Sequence, residues 1–307
     1  MKACCMFAGQ GAQAPGMGRD FAEADPSAMA LFDRAGEILG FDLKKVCFEG
    51  PAEALTRSDV CQSAIFTVSY AAYQAFGKKF PGFEFSYAAG LSLGEWSALC
   101  AAGALDFEST VKVLSARGRF MQEACDAVPS GMIAVMGATD AQIDEICAKT
   151  GCTVANVNSP AQKVLSGSKE AVAAAAAAAK ELGVKRAIPL ATAGAFHSRF
   201  MQSAREKLAP VLDGIEFKAP RIPVISNITG RPHSSDPGEI KALMLEQVTG
   251  ATNWAADVAF ARDAGCAKFL EFGPGRTLSG LVKKIDPALD AASVPDLESL
   301  AALEIGQ

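Results

Sequence analysis

The chain has 307 residues, of which 50% are hydrophobic and 21% charged, enough to bury a sizeable core in one large domain or two moderate ones. Its net charge of -5 argues against a nucleic-acid partner, because neutralising phosphates takes a basic surface. No apolar run approaches the length of a bilayer span, so no membrane partner is expected.

The opening Lys2-Ala3-Cys4-Cys5-Met6-Phe7 is too short in its apolar part for a secretory signal and reads as a first core strand. The 9 cysteines include no C-x-x-C pair, which suits the reducing cytoplasm and neither a disulfide framework nor zinc. Only His197 and His233 are available as imidazoles, so no metal site is expected.

After the first strand comes Ala8-Gly9-Gln10-Gly11-Ala12-Gln13. Ala14 stands where a dinucleotide-binding G-x-G-x-x-G would need its third glycine, so a nucleotide site is set aside. Residues 26–39 read as a helix, with a short connection starting at 41–46. Residues 60–76 form a helix that is apolar nearly all round and therefore buried, with Gln62 near its start. A strand at 83–89 leads into Gly90-Leu91-Ser92-Leu93-Gly94-Glu95, and a helix at 95–104 follows. Strand, Gly-x-Ser-x-Gly, helix is the pattern of a nucleophile elbow, with the Leu93 N–H as the expected first oxyanion donor. The helix at 107–124 carries Arg117 and Met121 on one face; by itself this arginine reads as a surface residue beside Glu123 or Asp126.

The pattern then changes to strand 132–136, helix 140–149, strands 153–157 and 163–166, helix 169–182 and strand 185–190. The order β-α-β-β-α-β is that of a ferredoxin-like unit. It predicts an insert over 128–192 that divides an α/β core into 1–127 and 193–307. His197 follows in a loop of small residues, with Ser198 as N-cap of a helix at 199–212. A buried-type strand at 222–226 ends at Asn227, and His233 lies in a polar turn that reads as solvated and idle. Helices at 239–248 and from Asn253 to about 264, a strand at 268–271, the turn Gly273-Pro274-Gly275 and a helix at 277–285 complete the pattern; the tail from 286 reads as loosely ordered at its end.

A serine hydroxyl needs a base within hydrogen-bond reach, and His197 is the one histidine in a suitable loop. No acid between Ser92 and His197 stands in an obvious loop, which leaves a backbone carbonyl to orient the imidazole.

Five segments, in order and spacing, resemble the malonyl-CoA:acyl carrier protein transacylases: Phe7 through Gln13, Gly90 through Glu95, Arg117-Gly118-Arg119-Phe120-Met121-Gln122, Ala195-Phe196-His197-Ser198, and Gly273-Pro274-Gly275. The resemblance implies an α/β-hydrolase-like core with a parallel sheet and a ferredoxin-like insert. It implies transfer of malonyl from malonyl-CoA to an acyl carrier protein, with Ser92 as nucleophile and His197 as base. CoA is then part of the substrate, and no cofactor is needed. Gln10 and Leu93 would form the oxyanion hole, and Arg117 would bind the malonyl carboxylate. The resemblance also implies that the Asn253 carbonyl orients the histidine and that Gln62, Asn227 and Phe196 line the site. Phe196 predicts preference for malonyl over methylmalonyl. Leu91 departs from the family, which usually has His before the nucleophile. The expected setting is fatty acid synthesis, by a cytoplasmic monomer; a serine hydrolase or thioesterase, or the same transfer in polyketide synthesis, are the alternatives.

Overall fold

The computed structural model describes residues 2–305. Its strands are β1 (Lys2–Phe7), β2 (Tyr87–Gly90), β3 (Ser130–Met136), β4 (Thr153–Ser159), β5 (Gln162–Ser168), β6 (Arg186–Pro189), β7 (Cys266–Phe272) and β8 (Asp290–Val294). They form two four-stranded sheets, β2-β1-β7-β8 and β4-β5-β3-β6.

The first sheet is parallel throughout. Both faces are covered, as a parallel sheet with helical crossovers requires. Side chains alternate along β1: Cys4 and Met6 pack with Trp254, Val258 and Leu281, whereas Ala3, Cys5 and Phe7 join the large core on the other face. Phe272 there stacks its ring edge-to-face on Phe76, with centroids 5.2 Å apart. Phe76 belongs to the buried helix Ser58–Lys79.

The second sheet is antiparallel. Ile133, Val135 and Leu165 point to the helices Asp140–Thr150 and Lys169–Glu181, meeting Ile146, Val172 and Ala175. The alternate residues Met132, Ala134 and Val164 belong to the large core. This sheet therefore lays one face against the rest of the chain.

Three elements differ from expectation. Residues 222–226 form only isolated bridges, Val224 beside Ala88 and Ile225 beside Pro232, because a short stretch at the sheet edge pairs over single residues. The segment expected as a connection at 41–46 starts the helix Leu43–Glu49, capped by the Asp42 side chain. In the tail a strand not foreseen, β8, pairs with β7 from Lys268–Asp290 to Phe272–Val294, and the helix Leu297–Ala302 follows; the end of the tail, 306–307, where loose order was expected, lies outside the described residues. The run Asp290-Ala291-Ala292-Ser293 has little hydrophobic pattern of its own, so this strand is dictated by pairing. No helix among the described residues is long and apolar enough to cross a membrane.

Candidate active site

β1 and β2 both end at the site, at the carboxyl edge where parallel α/β sheets place their ligands. Beyond β2 the chain turns abruptly at Ser92, with φ 57 and ψ -106, and enters the helix Leu93–Ala101. Glycine is required on both sides of the turn. A Cβ on Gly90 would lie 2.0 Å from the Gly94 carbonyl carbon, and one on Gly94 would lie 2.1 Å from the Phe7 carbonyl oxygen. His197 also has a positive φ, 53. Two non-glycine residues in this disfavoured region, facing one another, mark backbone strain concentrated at one place.

The His197 Nε2 lies 2.8 Å from the Ser92 Oγ, and its Nδ1 lies 2.8 Å from the Gln247 carbonyl oxygen. A carbonyl only accepts, so Nδ1 carries the proton and Nε2 presents its lone pair to the serine hydroxyl. Gln247 follows directly on the helix Pro237–Glu246, where carbonyls lack intrahelical partners and carry the negative end of the helix dipole. The expected orienter, Asn253, does something else. It caps the helix Trp254–Asp263, and its carbonyl accepts from the Ala256 and Asp257 amides at 3.1 Å, so it is not offered to the imidazole.

Arg117 is 1% exposed and reaches the serine from beneath, not from the surface. Its Nη2 donates to Ser92 Oγ and to Gln247 Oε1, each at 3.0 Å, and its Nη1 donates to Gln62 Oε1 at 2.7 Å. Among the described residues the Nε has no partner. Arg117 gets there because the helices Ser58–Lys79 and Phe107–Ala127 touch at Gly118, where a Cβ would come 2.1 Å from the Ser58 carbonyl oxygen. Burial lowers the Arg117 pKa to about 10, partly offset by the charge of Glu95. Burial, and then the positive charge of Arg117, lowers that of His197 to about 4. The imidazole is therefore a neutral, proton-accepting base at neutral pH. Buried thiols are no rival nucleophile, since burial pushes Cys61 and Cys100 up to about 12.

A cavity of about 450 Å³ opens over Ser92 and His197, between the first sheet and the second. Gln10, Leu91 and Phe196 line it from one side, and Met132, Asn158 and Val164 from the other. Leu93, at the first position of its helix, has an N–H with no intrahelical acceptor. The Gln10 side chain donates to Ser58 Oγ at 3.2 Å.

Gln62 and Asn227, expected to line the site, stand behind it instead. Both are fully buried and neither borders the cavity. Gln62 holds the Arg117 guanidinium. Asn227 clamps the elbow: its Oδ1 accepts from the Ser92 N–H at 2.7 Å, and its Nδ2 donates to the Gly90 carbonyl at 2.8 Å. His233 is not an idle surface residue. Its side chain is buried and its Nε2–H donates to Glu95 Oε1 at 2.7 Å. The polar neighbours that suggest a surface turn are real, but the His233 N–H donates to the Val224 carbonyl, which draws this one side chain inward.

An acyl transferase domain model matches residues 5–279. The malonyl CoA-acyl carrier protein transacylase of Bacillus subtilis (strain 168) is 40% identical over 304 residues, spanning 97% of this chain and 95% of that one. The chain belongs to the malonyl CoA-acyl carrier protein transacylases. A solved transacylase of this family from Streptococcus pneumoniae superposes with a TM-score of 0.92 at 38% identity, over 98% of each chain. Another, a malonyl-transacylase in complex with its type II polyketide synthase acyl-carrier protein, gives 0.93 at 37% identity, also over 98% of each. The chain is thus an acyltransferase on an α/β fold with a parallel sheet.

Proposed function

We propose that the protein moves a malonyl group from malonyl-CoA to the phosphopantetheine thiol of an acyl carrier protein through an ester on Ser92. The observation that carries this is the contact of one hydroxyl with both a neutral imidazole and a buried guanidinium. The His197 Nε2 takes the Ser92 proton as Oγ attacks the thioester carbonyl. The Leu93 and Gln10 N–H groups hold the oxyanion. Collapse breaks the C–S bond, and the imidazolium returns its proton to the departing CoA sulfur. The second half runs in reverse: His197 accepts the proton of the carrier thiol, sulfur attacks the ester, and Ser92 Oγ leaves with the proton.

A malonyl ester places a carboxylate one methylene beyond its carbonyl, within reach of Arg117. The guanidinium has only neutral hydrogen-bond partners and an unused Nε donor, which suits a carboxylate arriving with the substrate. Asn158, whose buried Oδ1 has no partner, offers an acceptor to an amide N–H of the pantetheine arm. Phe196 crowds the position of an α-methyl branch, a selectivity worth about 1–3 kcal/mol. CoA enters as substrate, and the mechanism calls for neither cofactor nor metal.

We further read the larger unit as an α/β-hydrolase-like core and the second sheet as a ferredoxin-like insert; the elbow and the order β4-β5-β3-β6 support this. Fatty acid synthesis in the cytoplasm is the proposed setting, consistent with nine unpaired thiols. A monomer suffices, because one chain supplies every group the mechanism uses.

Incubation with malonyl-CoA followed by peptide mapping tests the reading: the malonyl mass is expected on Ser92, and its absence there overturns it. The same assay has a pH signature. Acylation by malonyl-CoA is expected to rise through about pH 4 as His197 loses its proton and to fall near pH 10 as Arg117 loses its charge. An acid limb near the usual histidine value of about 6.5 would show that the base is not this buried imidazole.

A further inference from the structure

Behind the reactive groups lies a buried polar network that the acyl-transfer chemistry does not use. Glu95, in the first turn of the elbow helix, is 1% exposed. Its Oε1 accepts from His233 Nε2–H at 2.7 Å, and its Oε2 accepts from Gln247 Nε2 at 2.6 Å and from the Asn227 N–H at 3.3 Å. Gln247, fully buried, is the hub. Its carbonyl holds His197, its Oε1 accepts from Arg117, and its Nε2 also donates to the Ser92 carbonyl at 3.0 Å. One residue therefore touches the base, the guanidinium and the nucleophile's own backbone.

An amide can turn end for end, and in this network only one direction works. A carboxylate accepts only, so Glu95 demands the NH2 end of Gln247 and leaves the oxygen for Arg117. The reversed amide would set its donors against the guanidinium and its oxygen against the carboxylate. Glu95 in turn is held by His233, whose Nδ1 has no partner, so a single Nε2–H donor is all that this histidine contributes.

We infer that Glu95 and His233 are positioning residues for acyl transfer: they fix the direction of the Gln247 amide and through it the placement of Arg117. The inference rests on the malonyl transfer proposed for Ser92. It makes His233 replaceable by any side chain that brings one donor to Glu95 Oε1, and it makes the charged acceptor of Glu95 the part that a neutral side chain does not replace.

The test compares rates of Ser92 acylation by malonyl-CoA and acetyl-CoA, per folded protein, in Glu95→Gln, His233→Leu and His233→Gln. Glu95→Gln is expected to lower malonyl acylation about 10–100-fold, the scale on which outer partners of a reactive group act. The malonyl-to-acetyl ratio should fall with it, because Arg117 loses its neighbour's acceptor. His233→Leu should act in the same direction, and His233→Gln, whose amide reaches as far as the imidazole, should recover most of the loss. Should Glu95→Gln fail to fold, the two His233 variants carry the same comparison. An unchanged ratio, or a His233→Gln as impaired as His233→Leu, overturns the inference. Failure of the unaltered protein to acylate at Ser92 overturns instead the function on which it rests.

Discussion

Ser92→Ala is expected to abolish the acyl-enzyme and to lower malonyl transfer by about 10⁴–10⁶-fold, the range seen when a nucleophile acting together with its base is removed. The strained elbow makes this substitution informative. Alanine keeps the Cβ and removes only the oxygen that accepts from Arg117 and donates to His197. The turn is held by Asn227 at the Gly90 carbonyl and the Ser92 amide, neither of which involves the side chain. The fold should therefore survive, and the thermal transition should stay in place while activity is lost. A transferase that stayed active with alanine at this position would move malonyl directly between thiols, without a serine ester. Quench experiments with radiolabelled malonyl-CoA, read as protein-bound label after denaturation, decide between the two.

How far the site could be read from sequence depends on which atoms do the work. Ser92 is legible because its strained turn demands flanking glycines at fixed spacing, a local constraint. Arg117 is legible only through resemblance, since on its own helix it looks like any surface arginine near Glu123. What places it inside is the close contact at Gly118 with a helix far away in the chain. Gln247 is beyond such reading because its carbonyl orients His197, and every residue has a carbonyl. The expectation for Asn253 fails on the same ground: its carbonyl is already committed to the first turn of its own helix. His233 and Glu95 are 138 positions apart, and nothing in the polar run around the histidine announces that one side chain turns inward. The tail is a parallel case in the fold. β8 has no pattern of its own and exists because β7 presents an open edge, so only the three-dimensional pairing reveals it. By contrast, the strand at 132–136 is legible as a short continuous apolar run, and the structure buries it on both faces, Met132 and Ala134 in one cluster and Ile133 and Val135 in the other.

Arg117→Ala is expected to separate binding of the malonyl carboxylate from acyl transfer as such. Truncating one partner of a buried, hydrogen-bonded charge pair costs about 2–5 kcal/mol, or about 30-fold to several-thousand-fold in the rate with malonyl-CoA at 1.4 kcal/mol per tenfold. Acetyl-CoA brings no carboxylate, so its rate should fall far less and the malonyl preference should collapse. Arg117→Lys retains a charge but not the planar fork, and should fall between the two. A second readout follows from the electrostatics. His197 is held near pKa 4 first by burial and then by the positive charge of Arg117. Removing that charge leaves burial alone, so the acid limb of the pH profile should move upward in Arg117→Ala, toward but not reaching the ordinary histidine range. A lost preference with an upward-shifted limb places the guanidinium beside both the cargo and the base. A malonyl preference that survives the substitution means that the carboxylate is bound elsewhere in the cavity, and that Arg117 does not select the cargo.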